Sequence, residues 1–246
     1  MPHGDYVNAW PVNVIIMAGG RGTRLRALTK NTPKPLIEVA EKAIIIRLIE
    51  HLVSFGFATI YVSVGHLSDQ VNQALGDGRG LGVSIKYIHE TTPMGSIGSL
   101  ALPTDWEHDD FLVLNGDLYT DFKADEFIAA FFANRVDMAV LTYQNTVEIP
   151  WGVITTNAEG AITQLIEKPS YSVQVNTGIY LFNRRILNLL PPQGRTEGWE
   201  LIELAINRRY KVTAIPLKAG YWIDIGTTET LSKAEEMARL HSVQTH

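Results

Sequence analysis

The stretch VIIMAGGRGTRLRALTKNTPKP, from Val14 to Pro35, joins a short apolar run to a glycine-rich and basic loop. The apolar start is typical of a buried strand, and Gly19 and Gly20 follow it directly. Glycines at such a place let the backbone approach a ligand and donate its N–H groups, and the arginines and lysines after them supply positive charge. The stretch therefore predicts a strand followed by a loop that holds an anionic group.

Two familiar phosphate-binding loops do not fit this stretch. The dinucleotide pattern G-x-G-x-x-G starts at Gly20 but has Leu25 where the third glycine belongs, and the NTPase pattern G-x-x-x-x-G-K-[ST] does not occur in the chain. Pro33 and Pro35 also oppose the early helix that both patterns require. A tight turn with solvated basic side chains is the other interpretation that the stretch alone allows.

Composition limits the class of protein. The chain has 246 residues, of which 46% are hydrophobic and 19% charged, so it can bury a full core as one large domain or two small lobes. Its net charge of -5 and its scattered cations exclude a typical nucleic-acid binder. The absence of cysteine excludes disulfides and thiolate zinc sites and fits a cytoplasmic location. No apolar run reaches the roughly 20 residues of a membrane helix, and residues 1–12 are interpreted as a linker or lead segment.

Short β-branched runs alternate with longer segments of helical spacing up to Tyr143. The predicted strands are Val14–Met17, Thr59–Val64, Ser84–His89, Phe111–Leu114 and Asp137–Tyr143. The predicted helices between them are Ile44–Phe55, Asp69–Leu75, Ser96–Leu102 and Ala124–Asn134. Such alternation predicts an α/β fold with a doubly wound, mainly parallel, Rossmann-like sheet.

The pattern changes after Tyr143. Strand-like segments then follow one another with few helices between them, in WGVITT (151–156), AITQLI (161–166), TGIYLF (177–182) and KVTAIPL (211–217). They predict a smaller mixed or antiparallel region, followed by a terminal helix over 228–240. Because the chain shows no repeat and no break in composition, residues 13–246 are predicted to be one domain, with halves at 13–143 and 144–227.

Two aspartates stand out by their position. Asp117 comes just after the apolar run FLVLN, which places it at the carboxyl edge of the predicted sheet, near the glycine loop. Asp224 interrupts the apolar segment YWIDIG, where a carboxylate is costly unless it is paired or bound to a metal. From local context alone, Asp117 is equally well a turn or capping residue, and Lys168 in IEKP is most simply an exposed lysine beside a proline.

The opening stretch resembles a known signature. MAGGRGTRLRALTKNTPKPLIEV (17–39) is similar to the pattern G-G-x-G-T-R-L, followed about ten residues later by P-K-P, of the sugar-1-phosphate nucleotidyltransferases. The similarity continues in order through TPMGSIGSL, VLNGDLYTD, WGVI, IEKP, VNTGIYLF and YWIDIG, so it spans nearly the whole chain. The resemblance implies an enzyme that joins a nucleoside triphosphate to a sugar 1-phosphate, giving an NDP-sugar and pyrophosphate, with Mg²⁺ as cofactor.

The resemblance also implies roles for individual positions. Catalysis falls to Arg24, Lys34, Asp117, Lys168 and Asp224, with the metal held by Asp117 and Asp224. Nucleotide binding falls to Ala18, Gly19, Gly20, Gly22, Thr23, Arg24, Gly95 and Asp117. Binding of the sugar phosphate falls to Gly152, Glu167, Lys168 and Asn176. Two departures from the family pattern, Glu41-Lys42-Ala43 in place of Gly-Lys-Pro and Trp151 in place of Tyr or Phe, leave these positions intact.

The donor and the wider role are also predicted by resemblance. PMGSIG (93–98) looks like the form found in guanylyltransferases, so GTP is the predicted donor. The chain is most similar to compact bacterial enzymes that act on heptose, mannose or glucosamine 1-phosphate in surface glycan biosynthesis. A uridylyltransferase is the alternative within the class. A homo-oligomer is left open, and neither nucleic acid nor a membrane is an expected partner.

Two other classes fit less well. A non-catalytic regulator that binds NDP-sugars would be expected to lack a metal aspartate or a phosphate-binding cation. This chain retains all five residues that the resemblance makes catalytic, namely Arg24, Lys34, Asp117, Lys168 and Asp224. An NAD-dependent dehydrogenase is disfavoured because the third glycine of its fingerprint is absent.

Overall fold

Strands and helices alternate along the chain, of which the computed structural model describes residues 9–20, 22, 25–103 and 105–244. The strands are β1 (Val12–Met17), β2 (Glu38–Val39), β3 (Lys42–Ala43), β4 (Thr59–Val64), β5 (Ser84–His89), β6 (Asp110–Asn115), β7 (Leu118–Thr120), β8 (Met138–Glu148), β9 (Val153–Thr156), β10 (Ile162–Ile166), β11 (Ser170–Asn183), β12 (Val212–Pro216) and β13 (Trp222–Asp224). The helices are α1 (Arg26–Thr29), α2 (Ile44–Ser54), α3 (Ser68–Leu75), α4 (Ala124–Asn134), α5 (Arg184–Leu187), α6 (Gly198–Asn207) and α7 (Thr228–Gln244).

A central sheet of seven strands runs through the described residues in the order β12-β8-β11-β6-β1-β4-β5. β1 is parallel to both β6 and β4, β4 is parallel to β5, and β12 is parallel to β8. Within this sheet, β11 alone runs antiparallel to its neighbours. The predicted α/β fold with a mainly parallel sheet is confirmed.

Both faces of the sheet are covered, which explains the uninterrupted apolar runs in its central strands. All residues of β1 and β4 are buried, as expected of parallel strands that are covered on two sides. One face packs against α2, α3 and α4 through Leu48, Val71 and Phe127, and the other packs against Trp106 and, on α6, Leu201. None of the described helices is long and apolar enough to cross a membrane.

The strand order reverses at β1. The chain passes from β1 to β4 and β5 on one side and then returns to β6 on the other side. The last residues of β1 and β6, Met17 and Asn115, are paired in register, and Gly116 N donates to Met17 O at 2.9 Å. Since ligands of open α/β sheets bind where the strand order reverses, the loops that begin at Ala18 and Gly116 leave the sheet at the expected ligand site.

Most predicted elements agree with the structure within a few residues, and one is wrong. β4, β5 and α4 have the predicted bounds, and β1 begins at Val12 instead of two residues later. The predicted helix Ser96–Leu102 is absent from the described chain, where only Gly98–Ala101 form a 3₁₀ turn. Ile97 N donates to Thr196 O, which belongs to a distant segment. That bond ties the loop to the segment before α6.

The end of the predicted lead segment belongs to the fold. Trp10 Nε1 donates to Phe55 O at 3.2 Å, and Ala9 N donates to Gly56 O at 3.1 Å, just after α2. Val12 is fully buried within β1. The folded part therefore includes residues 9–12 of the segment interpreted as a linker or lead, and residues 1–8 lie outside the described chain.

The region after Tyr143 is joined to the central sheet. The outer halves of β8 and β11 pair with one another from Tyr143 opposite Val175 to Glu148 opposite Ser170, and β9 and β10 form a hairpin between them in the chain. We call residues 143–176 the arm. The inner half of β11 pairs with β6, and β12 forms an edge of the central sheet. Two strands assigned to the smaller region, in TGIYLF and KVTAIPL, therefore lie in the main sheet instead.

Asp137 ties three elements together at the start of β8. Its carboxylate accepts hydrogen bonds from Lys211 N, Asn183 Nδ2 and Arg185 Nη1, each at 3.0 Å. Burial acts to raise the pKa of Asp137, but these hydrogen bonds and the charge of Arg185 outweigh it, so the pKa lies below its ordinary value. The folded state therefore favours the ionised carboxylate.

Replacing Asp137 by asparagine is expected to lower the free energy of unfolding by about 1–2 kcal/mol at neutral pH. Because the pKa of Asp137 is lower in the folded state, its ionised carboxylate stabilises the protein at pH values above the unfolded pKa of about 3.9. This stabilisation is lost as the pH falls through the folded pKa. The two proteins should thus approach equal stability as the pH falls below the unfolded pKa and through the lower folded pKa. Urea denaturation at neutral and acid pH measures the difference, and a gap of equal size at both would contradict the prediction.

Candidate active site

A cleft of about 720 Å³ opens at the carboxyl ends of the parallel strands. It is lined by Gly19 and Gly20 after β1, Glu90 after β5 and Asp117 after β6, and Glu197 contributes from the segment before α6. Its volume is typical of sites for small ligands. The point where the strand order reverses is therefore a cleft in this protein.

The glycine turn after β1 is fixed by neighbouring strands. Ala18 is buried, and its N–H donates to Ser63 O in β4 at 2.8 Å. A Cβ on Gly19 would lie 2.5 Å from Glu90 Oε1, so a larger residue would displace that carboxylate. Gly20 has open space where a Cβ would be. The backbone of the turn is thus accessible to a ligand in the cleft.

Part of the predicted nucleotide loop lies outside the described residues. Thr23 and Arg24 are outside the described residues, so the catalytic role of Arg24 stays a prediction from the sequence. Gly22 is described and has φ +60°, and a Cβ there would lie 2.9 Å from Thr29 Cγ2. Gly22 thus supplies a left-handed turn that favours glycine, but it is not among the described residues that line the cleft.

Lys34 is a buried cation between two acidic side chains. It lies between Pro33 and Pro35, begins the 3₁₀ turn Lys34–Leu36 and is 8% exposed. Its Nζ donates to Asp117 Oδ2 and lies 3.5 Å from Asp224 Oδ1. The structure therefore brings together three residues that are predicted to be catalytic and that lie far apart in the sequence.

A short antiparallel pair of strands positions the two aspartates. Asp117 follows Gly116, where a Cβ would lie 2.8 Å from a carbonyl oxygen of β1, so the chain passes close to that strand. β7 pairs with β13 so that Leu118 stands opposite Asp224, and Ile225 N donates to Asp117 O at 3.0 Å. Asp224 reaches the site because its strand pairs with the one that directly follows Asp117.

The carboxyl of Asp117 has an unusual environment. Burial raises its pKa, the ammonium of Lys34 opposes this, and the charge of Asp224 adds to it. Asp117 Oδ1 is buried, and no group of the described residues donates a hydrogen bond to it. Since nearly all buried polar atoms in proteins have a partner, such an atom suggests a place for a ligand or an ion.

The two aspartates fit a divalent cation. Mg²⁺ prefers oxygen ligands and is usually held by one or two carboxylates together with substrate phosphates and water. Within the described chain, no cluster of three or more His, Cys, Asp or Glu side chains could hold a metal ion. A cation here would therefore bind through Asp117 and Asp224 and take its remaining ligands from substrate and solvent.

The residues predicted to bind the sugar phosphate lie on or at the end of the arm. Gly152 and Glu167 face each other, because a Cβ on Gly152 would lie 2.9 Å from Glu167 Oε2. Lys168 is exposed and has a left-handed φ of +44°. Asn176 Nδ2 donates to Tyr180 OH at 3.0 Å. None of the four predicted residues is among the described residues that line the cleft.

Glu90 and Glu197 are not among the site residues predicted from the sequence, although both line the cleft. Glu90 comes just after β5 in much the same way as Asp117 comes just after β6, so its place after an apolar strand is a usable signal. Glu197 forms a capping box with Glu200 at the start of α6, and the spacing of these two glutamates is readable in the sequence.

The loop around Gly95 is bonded to the segment before α6. Thr196 exchanges two backbone hydrogen bonds with the loop on either side of Gly95, at 2.9 and 3.1 Å. Ser96 N donates to Glu197 Oε2 at 3.0 Å. Gly95 has φ +80°, and a Cβ there would lie 2.4 Å from Thr196 O. This wall of the cleft thus depends on a glycine at position 95.

Replacing Gly95 by alanine is expected to destabilise the protein by about 1–3 kcal/mol and to weaken the binding of a nucleoside triphosphate. The new Cβ would push the loop away from Thr196 and so distort the wall of the cleft. Urea denaturation and calorimetric titration measure the two effects. Gly80→Ala is the matched control, because its φ is not left-handed and no atom lies within 4 Å of a Cβ there. Equal stability of the two variants would contradict the prediction.

Comparison with known families decides the class to which this site belongs. The model of a family described as nucleotidyl transferase matches residues 13–239. The chain belongs to the nucleotidyl transferase family. The match includes the glycine turn, Lys34 and both aspartates, so the family resemblance of the sequence is confirmed.

Curated relatives of this nucleotidyl transferase include two proteins named mannose-1-phosphate guanylyltransferase catalytic subunit beta. The protein of Dictyostelium discoideum is 33% identical over 221 residues, which are 87% of this chain and 61% of that protein. The protein of Drosophila melanogaster is 32% identical over 218 residues, which are 86% of this chain and 58% of that protein. The chain thus spans about 60% of the length of these relatives.

Solved structures share the fold over nearly the whole chain. HddC from Yersinia pseudotuberculosis has a TM-score of 0.71 and 25% identity, and the alignment covers 92% of this nucleotidyl transferase and 99% of that chain. A putative glucose-1-phosphate thymidylyltransferase from Bacillus anthracis, in complex with a sucrose, has a TM-score of 0.72 and 27% identity, with coverage of 93% and 95%. The fold of this chain is thus shared with these two solved structures.

Proposed function

We propose that this nucleotidyl transferase joins GTP to a sugar 1-phosphate. A phosphate oxygen of the sugar 1-phosphate attacks the α-phosphorus of GTP and forms a new P–O bond. The bond from that phosphorus to the oxygen bridging to the β-phosphate breaks, and pyrophosphate leaves with the electron pair. The products are a GDP-sugar and pyrophosphate. Because two anions must meet and a third must depart, catalysis depends on positioning and on neutralising charge.

The position of Lys34 between Asp117 and Asp224 carries the proposal. Asp117 lines the same cleft as Gly19 and Gly20, so a triphosphate on the glycine turn would lie near all three charged groups. Two carboxylates against one ammonium leave this centre net negative, which suits a divalent cation and would repel a triphosphate without one. We assign Mg²⁺ to the two aspartates; when bound, it supplies positive charge to the phosphate oxygens and orients them.

The remaining roles are proposed by position. The N–H groups of Gly19 and Gly20 are accessible to the nucleotide, and Gly95 lies in the wall that would meet its base or ribose. Lys34 would bind the α-phosphate and share its charge with the arriving sugar phosphate. Triphosphate binding by Thr23 and Arg24 stays a prediction from the sequence. The acceptor side is proposed to be the arm, with Gly152, Glu167, Lys168 and Asn176.

The names of relatives support GTP as donor. The two curated relatives are named guanylyltransferases of mannose 1-phosphate, so mannose 1-phosphate is the first acceptor to test. The Bacillus anthracis neighbour is named a thymidylyltransferase, so the choice of base differs among proteins of this fold. A cytoplasmic location, a homo-oligomer and a role in surface glycan biosynthesis stay predictions.

Pyrophosphate release with Mg²⁺ tests the proposal. The chain would be incubated with GTP, UTP, dTTP, CTP or ATP and with a panel of hexose, hexosamine and heptose 1-phosphates, with a control that lacks sugar phosphate. Release that requires both GTP and one sugar phosphate supports the proposal, and release with another triphosphate would replace GTP. A folded protein that binds an NDP-sugar but releases no pyrophosphate across the panel would be a regulatory binder instead.

A further inference from the structure

The short strand that ends with Asp224 is held by a carboxylate outside the cleft. β7 and β13 have three residues each and form a two-stranded sheet apart from the central sheet. Asp121 directly follows β7, and its Oδ1 accepts a hydrogen bond from Tyr221 N, just before β13, at 2.6 Å. Thr120 Oγ1 donates to Tyr221 O at 2.8 Å. Both polar groups of the Tyr221 backbone are therefore bound by side chains at the end of β7.

The register of these two strands depends on tertiary contacts. In a hairpin the turn fixes the register, but Asp121 and Tyr221 are 100 residues apart in the chain. A two-stranded sheet is also only marginally stable by itself. The ladder places Asp224 opposite Leu118, the residue after Asp117, so a shift or splaying of β13 would move the two aspartates apart. The contacts that close the ladder at its ends therefore set the geometry of the proposed metal centre.

The two ends of the ladder are closed in different ways. Beside the cleft, Ile225 N donates to Asp117 O at 3.0 Å, which is a bond between backbone groups. At the opposite end, the carboxylate of Asp121 takes the Tyr221 amide. Gly220 has φ +106°, and a Cβ there would overlap Asp121 Oδ1. The side-chain contact thus requires both an acceptor at position 121 and a glycine at position 220.

We propose that Asp121 is a positioning residue, which holds β13 in register so that Asp224 reaches the same cation as Asp117. The inference rests on the proposed function, because Mg²⁺ at the two aspartates is part of that proposal. Asp121 is not a third ligand, since no three acidic side chains of the described chain form a cluster that could hold a metal. Trp222 Nε1 also anchors β13 by donating to Thr177 O at 2.8 Å, but that bond leads to β11. Asp121 joins β13 to the strand that follows Asp117.

Binding of Mn²⁺ tests the inference without catalysis. Mn²⁺ suits the same carboxylate and water ligands as Mg²⁺, and electron paramagnetic resonance measures the free ion during a titration. Asp121→Ala removes the acceptor of the Tyr221 amide and is expected to weaken Mn²⁺ binding roughly 10- to 100-fold, the usual effect of losing a group that orients a metal ligand. Asp121→Asn keeps an oxygen that can accept this hydrogen bond, so it should restore most of the affinity.

Gly220→Ala tests the same contact from the other side. Its Cβ would displace the Asp121 carboxylate, so this variant should lose Mn²⁺ affinity by a similar factor. Gly82→Ala is the matched control for the glycine, because Gly82 has φ +75° but no described atom lies within 4 Å of a Cβ there. Asp137→Ala is the matched control for the carboxylate, since Asp137 also accepts a backbone N–H, at the start of β8. Both controls should lose stability and keep the Mn²⁺ affinity of the unmodified protein.

The dependence of the rate on Mg²⁺ separates positioning from general damage. Asp121→Ala retains Asp117 and Asp224, so it should need roughly 10- to 100-fold more Mg²⁺ for half-maximal pyrophosphate release. Excess Mg²⁺ should then restore most of its kcat. A site that is merely disordered would lose kcat at every concentration of Mg²⁺. Circular dichroism and thermal melting establish that the variants are folded.

The outcomes separate this inference from the proposed function. A folded Asp121→Ala or Gly220→Ala protein that binds Mn²⁺ as tightly as the unmodified protein would overturn the inference. So would an Asp121→Asn protein that binds Mn²⁺ no better than Asp121→Ala. An unmodified protein that binds no Mn²⁺ would overturn the metal centre together with the inference. Loss of Mn²⁺ affinity through Asp121, in a chain that releases no pyrophosphate with any substrate pair, would overturn the proposed reaction and leave the positioning role intact.

Discussion

Replacing Asp117 by asparagine is expected to lower kcat for pyrophosphate release roughly a thousandfold. The amide keeps the shape of the side chain but removes the charge that would hold Mg²⁺. Lys34 still has Asp224 3.5 Å away, so the local structure should survive the change. A coupled assay of pyrophosphate with saturating GTP and sugar phosphate measures the rate. Calorimetry with Mg²⁺ and GTP should show a parallel loss of metal affinity.

Asp137→Asn is the matched control for Asp117→Asn. It makes the same chemical change at the amino end of β8, where the carboxylate bonds to Lys211 N, Asn183 and Arg185. This control should lose stability and keep its turnover, which is the reverse of the Asp117 variant. An Asp117→Asn protein with a near-normal rate and unchanged Mg²⁺ affinity would show that the metal assignment is wrong.

Replacing Lys34 by methionine is expected to reduce turnover about 100- to 1,000-fold and the free energy of unfolding by about 3 kcal/mol. Methionine fills a similar volume but leaves Asp117 and Asp224 with no ammonium between them. Removing one member of a buried ion pair is costly because the other charge stays buried without compensation. Urea denaturation measures the stability, and thermal melting with and without Mg²⁺ should show that the ion restores part of it.

Lys42→Met is the matched control for the lysine change. Lys42 forms an exposed ion pair with Glu50 at 2.8 Å, and exposed pairs contribute at most about 1 kcal/mol. This variant should therefore keep nearly full stability and should respond to Mg²⁺ no more than the unmodified protein does. If the two methionine variants lost the same small amount of stability, Lys34 would not neutralise a buried centre.

The central sheet could be predicted from the sequence because its signals are local. β4 and β5 are bounded by turn residues, and their β-branched runs match strand length. α6 has comparable local signals, since Glu197 and Glu200 form a capping box. The sequence of that region nevertheless predicts strands with few helices, because the turn-forming residues around Gly194 mask the start of the helix.

Contacts between residues far apart in the chain determine the features that could not be predicted from the sequence. β7 and β13 are three residues each, too short for a periodic pattern, yet their pairing brings Asp224 to Asp117. Ser96–Leu102 has helical spacing, but it forms only a short 3₁₀ turn in a loop that is bonded to Thr196, far away in the sequence. The tertiary partner of a loop residue is not visible in its neighbours along the chain.

The residues of the candidate site could be predicted from the sequence mainly through its resemblance to a known family. Lys34, Asp117 and Asp224 follow from the family motifs, and the structure brings them together. Glu90 falls just before the quoted segment TPMGSIGSL, and its partner Ser63 lies on a different strand. The place of this glutamate in the cleft became clear from the structure.

The continuous path of β11 has a consequence for protein engineering. A single strand carries Asn176 at the end of the arm and, a few residues later, the segment that pairs with β6. A chimera that exchanges the arm for the matching segment of another protein must therefore be joined within β8 and β11 at once. Thr142 and Asn176 are paired across the two strands, so cutting at these two positions keeps the graft in register with the central sheet.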